Sequence, residues 1–281
     1  MSCLEMISGD NVKSKYLSAI EPIEKAVQKY EESASQRSLH ILVAREFRPE
    51  ERGLGVTLEV TTRDLSEGLY KQRMADRGSS GRRIYDEIKL GAPNGICPLC
   101  GIREVSTLDH HLPRRGFPAL SVAPLNLVPA CTDCNKIKLD KFPATAGDQT
   151  LNPYFEDVAQ DRWLRCHITS SIPTITSYAV EAPSGWSSDL TSRAHYHFQT
   201  FRLGELYSFQ ANSELFSVQK LHEGMFEALG ELGLRSHLLK VAESAHDKNV
   251  NSWKGAMYEA LAASDWYCTG KFSSKTSGAA D

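Results

Sequence analysis

Between residues 12 and 30 the apolar side chains Val12, Tyr16, Ile20, Ile23, Val27 and Tyr30 fall three or four positions apart. That spacing predicts one buried face of an α-helix, with Pro22 as a candidate kink. "RSLHILVAREF" (37–47) reads as a short strand or a buried piece of helix. "ERGLGVTLEVTTRD" (51–64) carries Thr and Val and reads as extended chain. Residues Leu65 to Met74 and Arg82 to Leu90 read as short helices, separated by the flexible break "RGSSG".

The pattern changes beyond Lys141. "WLRCHITSSIPTITSYAVEA" (163–182) is rich in Ile, Thr, Val and Tyr and predicts two strands around a turn at Ser170 to Pro173. From Ser188 to Asp265 the spacing is helical. Phe198, Phe201, Leu203, Leu206, Tyr207 and Phe209 fit one packed face. Leu215, Val218, Leu221, Met225 and Leu229 continue it, with breaks near Gly230 and Gly233. The small, polar tail "GKFSSKTSGAAD" predicts disorder.

Composition narrows the class without naming a function. The chain has 281 residues, 41% hydrophobic and 24% charged, as an ordinary globular protein does. No apolar run reaches the roughly 18 residues of a membrane span. The N-terminus lacks a basic stretch followed by an apolar core, so the expected location is the cytoplasm, away from membranes. The formal net charge is −3, so any nucleic-acid contact must be local. Residues 71–89 hold six basic residues against three acids, and 103–141 hold six against four. Both excesses are also compatible with solvated faces.

The seven cysteines change the picture more. Cys97/Cys100 and Cys131/Cys134 form two C-x-x-C pairs, which in an intracellular chain point to metal before disulfides. Thiolates two residues apart reach one ion across a tight turn, and Gly101 permits the left-handed backbone such a turn uses. Four thiolates fill a tetrahedral zinc, leaving no open position for catalysis, so the expected zinc is structural. The gap between the pairs, 101–130, is longer than the roughly 15–20 residues of a plain zinc ribbon. It carries "LDHHLP" and "NLVPA", and the second pair runs on into Asn135.

The series C-x-x-C, Asp109-His110, Pro113, Asn126-Leu127 and C-x-x-C-Asn resembles the HNH, or ββα-metal, endonucleases. The likeness covers Cys97 to about Lys138. It implies a β-hairpin and helix around one divalent cation, braced by zinc. Residue by residue, it makes Asp109 and Asn135 ligands of the catalytic cation and His110 the general base. Asn126 would hold the hairpin loop and so orient His110. The family commonly has histidine where Asn135 stands, so this chain follows the H-N-N variant. Independently of the family, a carboxylate and an amide oxygen are hard ligands suited to Mg²⁺ or Mn²⁺. A histidine titrating near neutrality suits base catalysis.

His111 is open among three roles: a packing or surface residue, a phosphate contact, or the base in place of His110. Alternation along a strand turns it away from its neighbour. Arg114, Arg115 and Lys138 are candidate phosphate contacts, with solvation of loop and helix as the alternative. His195 and His197 lie two apart in a helical run and share no face. His222, His237 and His246 are isolated, and Cys166 with His167 reads as strand packing.

The expected fold class is α+β: a central zinc-braced hairpin–helix module, a helical N-terminal region and a strand-plus-helix C-terminal region. The expected segments are 1–90, 91–145, 146–270 and a disordered 271–281. "LNPYFEDVAQDRWL" (151–164) is similar to a stretch in standalone bacterial HNH proteins, some linked to phage defence. The function expected is phosphodiester hydrolysis in nucleic acid, DNA ahead of RNA. The C-terminal region would serve a protein partner or self-association. The alternative is a zinc-braced nucleic-acid- or protein-binding module without activity.

Overall fold

The computed structural model describes residues 13–49, 54 and 59–273. The chain is a mixture of helices and two small antiparallel sheets, an α+β architecture. It divides into two compact units, Met1–Glu156 and Asp157–Asp281. Segments 1–90 and 91–145 therefore belong to one unit. No helix among the described residues is long and apolar enough to cross a membrane.

In the first unit, α1 (Lys13–Ser35) runs through Pro22. Its stripe of Tyr16, Ala19, Ile23, Ala26 and Tyr30 is buried, while Ile20 and Val27 pack beside it. Val12 lies outside the described residues. Residues 37–47 form neither strand nor long helix. They make two short 3₁₀ turns, Leu39–Ile41 and Ala44–Phe47, which bury Leu39, Leu42 and Phe47. Most of 51–58 lies outside the described residues.

The next element, α2 (Asp64–Ala75), is π-helical and buries Leu65, Leu69, Tyr70 and Met74. Helix α3 (Arg82–Leu90) buries Ile84 and Tyr85. A hairpin follows, β1 (Thr107–His110) paired with β2 (Leu127–Ala130), and then α4 (Thr132–Lys138). The register sets Leu108 opposite Pro129, Asp109 opposite Val128 and His110 opposite Leu127. Leu108, Leu112, Phe117, Leu120 and Leu127 join the same hydrophobic cluster as Tyr16, Ile23, Tyr30 and Tyr70. The hairpin is thus part of the unit's main core.

In the second unit, β3 (Leu164–Ile168) pairs with β4 (Thr176–Val180). Leu164, Cys166, Tyr178 and Val180 are buried along one face, as period-2 alternation requires. Helices α5 (Ser188–Thr200), α6 (Leu203–Lys248), α7 (Trp253–Ala263) and α8 (Asp265–Cys268) complete it. Gly230 interrupts α6 with φ 66, a backbone that glycine adopts without a Cβ penalty. Gly233 continues the helix.

The face α6 buries keeps Leu203, Tyr207 and Leu215 of the expected one and departs from it elsewhere. Phe209, Leu221 and Leu229 are exposed. The buried line is Tyr207, Ala211, Leu215 and His222, continued by Leu234, Leu238, Ala242 and His246. The tail also differs at its start, because Phe272 is buried and stacks on Tyr267 at 4.1 Å. Residues 274–281 lie outside the described residues.

Candidate functional site

The sulfurs of Cys97, Cys100, Cys131 and Cys134 lie within 4.8 Å of one another, and all four residues are buried. Two local geometries produce this. Cys100 and Gly101 donate their backbone N–H groups to the carbonyl of Cys97, and Gly101 closes the turn at φ 65. Cys131 caps α4, its sulfur accepting from the N–H of Cys134 at 3.4 Å. Hydrogen bonds from Cys100, Cys134 and Cys97 pull the Cys131 thiol well below its usual range. Four soft donors, buried and convergent, fit a metal such as zinc.

This cluster fixes both ends of the excursion that carries the other candidates. Asn126, fully buried, fastens its loop. The Asn126 side chain accepts from the N–H of Leu112 at 2.8 Å and donates to the carbonyls of Leu112 and Leu120. Its backbone carbonyl accepts from His111 N–H at 2.8 Å.

Asp109 and His110 are consecutive and lie on opposite faces of the hairpin. Asp109 shares a face with Thr107, toward α4. There Lys138 Nζ lies 3.1 Å from Asp109 Oδ2, and the Asn135 amide donates to Thr107 Oγ1 at 3.5 Å. Lys138 also donates to the carbonyl of His110 at 2.6 Å. Lys138, expected as a phosphate contact, is therefore buried, because its ammonium answers a buried carboxylate. Burial raises the Asp109 carboxyl, and Lys138 opposes the shift.

His110 lies on the core face with Leu108 and Leu127. Tyr70 of α2 meets its ring edge-on, with centroids 4.4 Å apart. His110 Nε2 lies 2.9 Å from the carbonyl of Ser121. A carbonyl only accepts, so this contact assigns the proton to Nε2 and leaves the lone pair on Nδ1. Burial pushes His110 down to about 3. The expectation of a histidine titrating near neutrality does not hold in this conformation. The ring is neutral at pH 7 and weakly basic, because its cation would be desolvated.

The ladder continues one step past β1, through His111 N–H to Asn126 O, so alternation returns His111 to Asp109's side. His111 is 4% exposed. Arg114 donates to the carbonyl of Ser66 at 2.8 Å and lies over the Tyr70 ring at 5.4 Å. Arg115 is exposed and pairs loosely with Asp140 at 3.5 Å. Sequence reasoning missed Tyr70, whose partner is forty positions away.

The donors around Asp109 are of the kind Mg²⁺ or Mn²⁺ takes, but the charge there is already balanced by an ammonium. The residues fit a divalent cation only with Lys138 withdrawn.

No protein-family model matches the chain. No solved structure matches it either. It is similar to "Protein ea31" of Escherichia phage lambda, at 28% identity over 218 residues, covering 73% of each chain.

Proposed function

We propose that this chain is an HNH-type endonuclease that hydrolyses phosphodiester bonds in nucleic acid, DNA ahead of RNA. The observation that carries the reading is the strand–strand–helix unit with Asp109 and Asn135 on facing elements, pinned at both ends by the four cysteines. A bare zinc clip needs neither the acid nor the amide. A divalent cation held by Asp109 and Asn135 would neutralise charge developing on the phosphate.

The chain's own residues do the rest. His110 is the proton acceptor by family position, through Nδ1, since Ser121 holds Nε2–H. Asn126 fastens the loop that follows the two histidines, through Leu112 and Leu120. Arg115 at the loop surface is available to phosphate. A base of depressed pKa is a poor catalyst at neutral pH, so an active form needs the buried His110 ring opened to solvent or substrate.

The test is plasmid incubation with Mg²⁺, Mn²⁺ or EDTA, using wild type, Asp109→Ala, His110→Ala and His111→Ala. The reading expects metal-dependent cutting that is lost in Asp109→Ala and His110→Ala. Full cutting by His110→Ala with loss in His111→Ala would transfer the base to His111. Full cutting by all three variants would remove the mechanism.

A second reading has its own support. The Lys138–Asp109 pair and the sealed His110 ring suit a zinc-braced binding module without catalysis. That module expects salt-sensitive nucleic-acid binding and no cleavage with any divalent metal.

A further inference from the structure

We propose that Lys138 is the resident counter-ion of Asp109 and the competitor that a divalent cation must displace there. Both side chains are nearly sealed from water, at 4% and 5% exposure. A carboxylate buried to that degree requires a countercharge, and the ammonium at 3.1 Å supplies it. The position of Lys138 is not left to a flexible surface arm. Cys131 and Cys134 anchor the start of α4, and Lys138 lies one helical turn beyond Cys134.

The helix then stops abruptly. Leu139 adopts φ 53, a left-handed backbone that a branched residue avoids unless its surroundings impose it. Lys138 Nζ is fixed a second time by the His110 carbonyl at 2.6 Å. Asn135, three residues earlier, presents its side chain on the same side of the helix. The one helix face that could complete a hard-ligand cation site therefore also carries a cation of its own.

An ammonium and a divalent ion repel strongly at such range in a site of low dielectric. Cation loading at Asp109 is consequently coupled to the withdrawal of Lys138. The functional meaning of this coupling rests on the nuclease reading, whereas the competition itself does not.

The experiment titrates Mn²⁺ into the zinc-loaded full chain, with free Mn²⁺ followed by electron paramagnetic resonance. Wild type, Lys138→Met, Lys138→Gln and the double variant Lys138→Met/Asp109→Asn are compared. Lys138→Gln keeps a donor for the His110 carbonyl and guards against a misfolded methionine variant. Removing the competitor is expected to tighten one Mn²⁺ site by about tenfold or more. The double variant is expected to lose that site.

A wild-type readout needs no variant. In the zinc-loaded chain Lys138 should resist acetylation without added Mn²⁺ and become labelled at high Mn²⁺, as read by mass spectrometry. Equal Mn²⁺ affinity in wild type and both single variants would overturn the inference. So would tightening that survives Asp109→Asn, or labelling of Lys138 that ignores Mn²⁺. Cleavage is scored separately. Tight, Asp109-dependent binding without cleavage keeps this inference and removes the nuclease reading. Cleavage with unchanged Mn²⁺ affinity does the reverse.

Discussion

Tyr70 stands edge-on against His110 with ring centroids 4.4 Å apart, and the contact joins α2 to the last residue of β1. Its removal should both loosen the core and wet the imidazole. Tyr70→Ala is expected to cost about 3 kcal/mol, as aromatic truncation in a core does. It should also raise the His110 pKa toward the ordinary histidine value, which NMR titration of the ring protons would read. Tyr70→Phe keeps the ring and should leave the titration in place. A His110 that titrates identically in wild type and Tyr70→Ala would show that the ring does not seal it.

Metal removal should act on the first unit. The cysteine cluster holds the start of α4 and the turn at Cys97 together. Stripping the metal with a chelator, or Cys134→Ser, is expected to destabilise that unit by on the order of 5 kcal/mol. Elemental analysis should give one zinc per chain in wild type. An unchanged melting curve after complete zinc loss would refute the brace.

Acid should weaken the fold earlier than carboxylate titration alone would. Burial lowers His222 from 6.5 to about 4 and His110 to about 3. Both are depressed, so below pH 6.5 the unfolded chain binds protons that the folded chain refuses. Stability is then lost as pH falls from about 6.5 toward about 4, by at most ~1.4 kcal/mol per pH unit for each histidine. Above that window neither ring contributes a slope. His222→Gln should flatten the slope when urea midpoints are compared across the series. An identical pH slope in that variant would show that His222 is not the source.

Asn251 is a tie in the second unit. Its side-chain oxygen accepts from the N–H groups of Trp163 and Leu164 at 3.0 and 3.1 Å, and its amide donates to the carbonyls of Val158 and Asp161. Asn251→Ala is expected to cost about 2 kcal/mol and to raise amide exchange at Trp163 and Leu164. Exchange at those two amides that matches wild type would count against the tie.

The parts legible in sequence were the local ones. The cysteine spacing, helix α3 and the β3–β4 hairpin each depend on residues close in the chain, and their signals survive without a partner. The buried face of α6 was legible at Leu203, Tyr207 and Leu215 but not between and beyond them, because it runs through Ala211 and His222. Following the larger apolar residues instead selects Phe209, Leu221 and Leu229, which face solvent. At the candidate site the residue types were readable and their surroundings were not. Alternation along β1 separates Asp109 from His110 as well as His110 from His111. The closing contacts from Tyr70 and Lys138 come from elements whose docking no local pattern encodes.

The hairpin's place in the main core sets the size of the smallest portable piece. Tyr30 donates its hydroxyl to the Leu125 carbonyl at 3.0 Å, and Arg114 holds the Ser66 carbonyl. Cut out alone, residues 91–145 would expose Leu108, Phe117, Leu120 and Leu127, which α1 and its neighbours now cover. A graft of the cysteine-bounded loop into a foreign scaffold would carry the ligands and leave behind the walls. The smallest compact piece that keeps these walls is the first unit, Met1–Glu156.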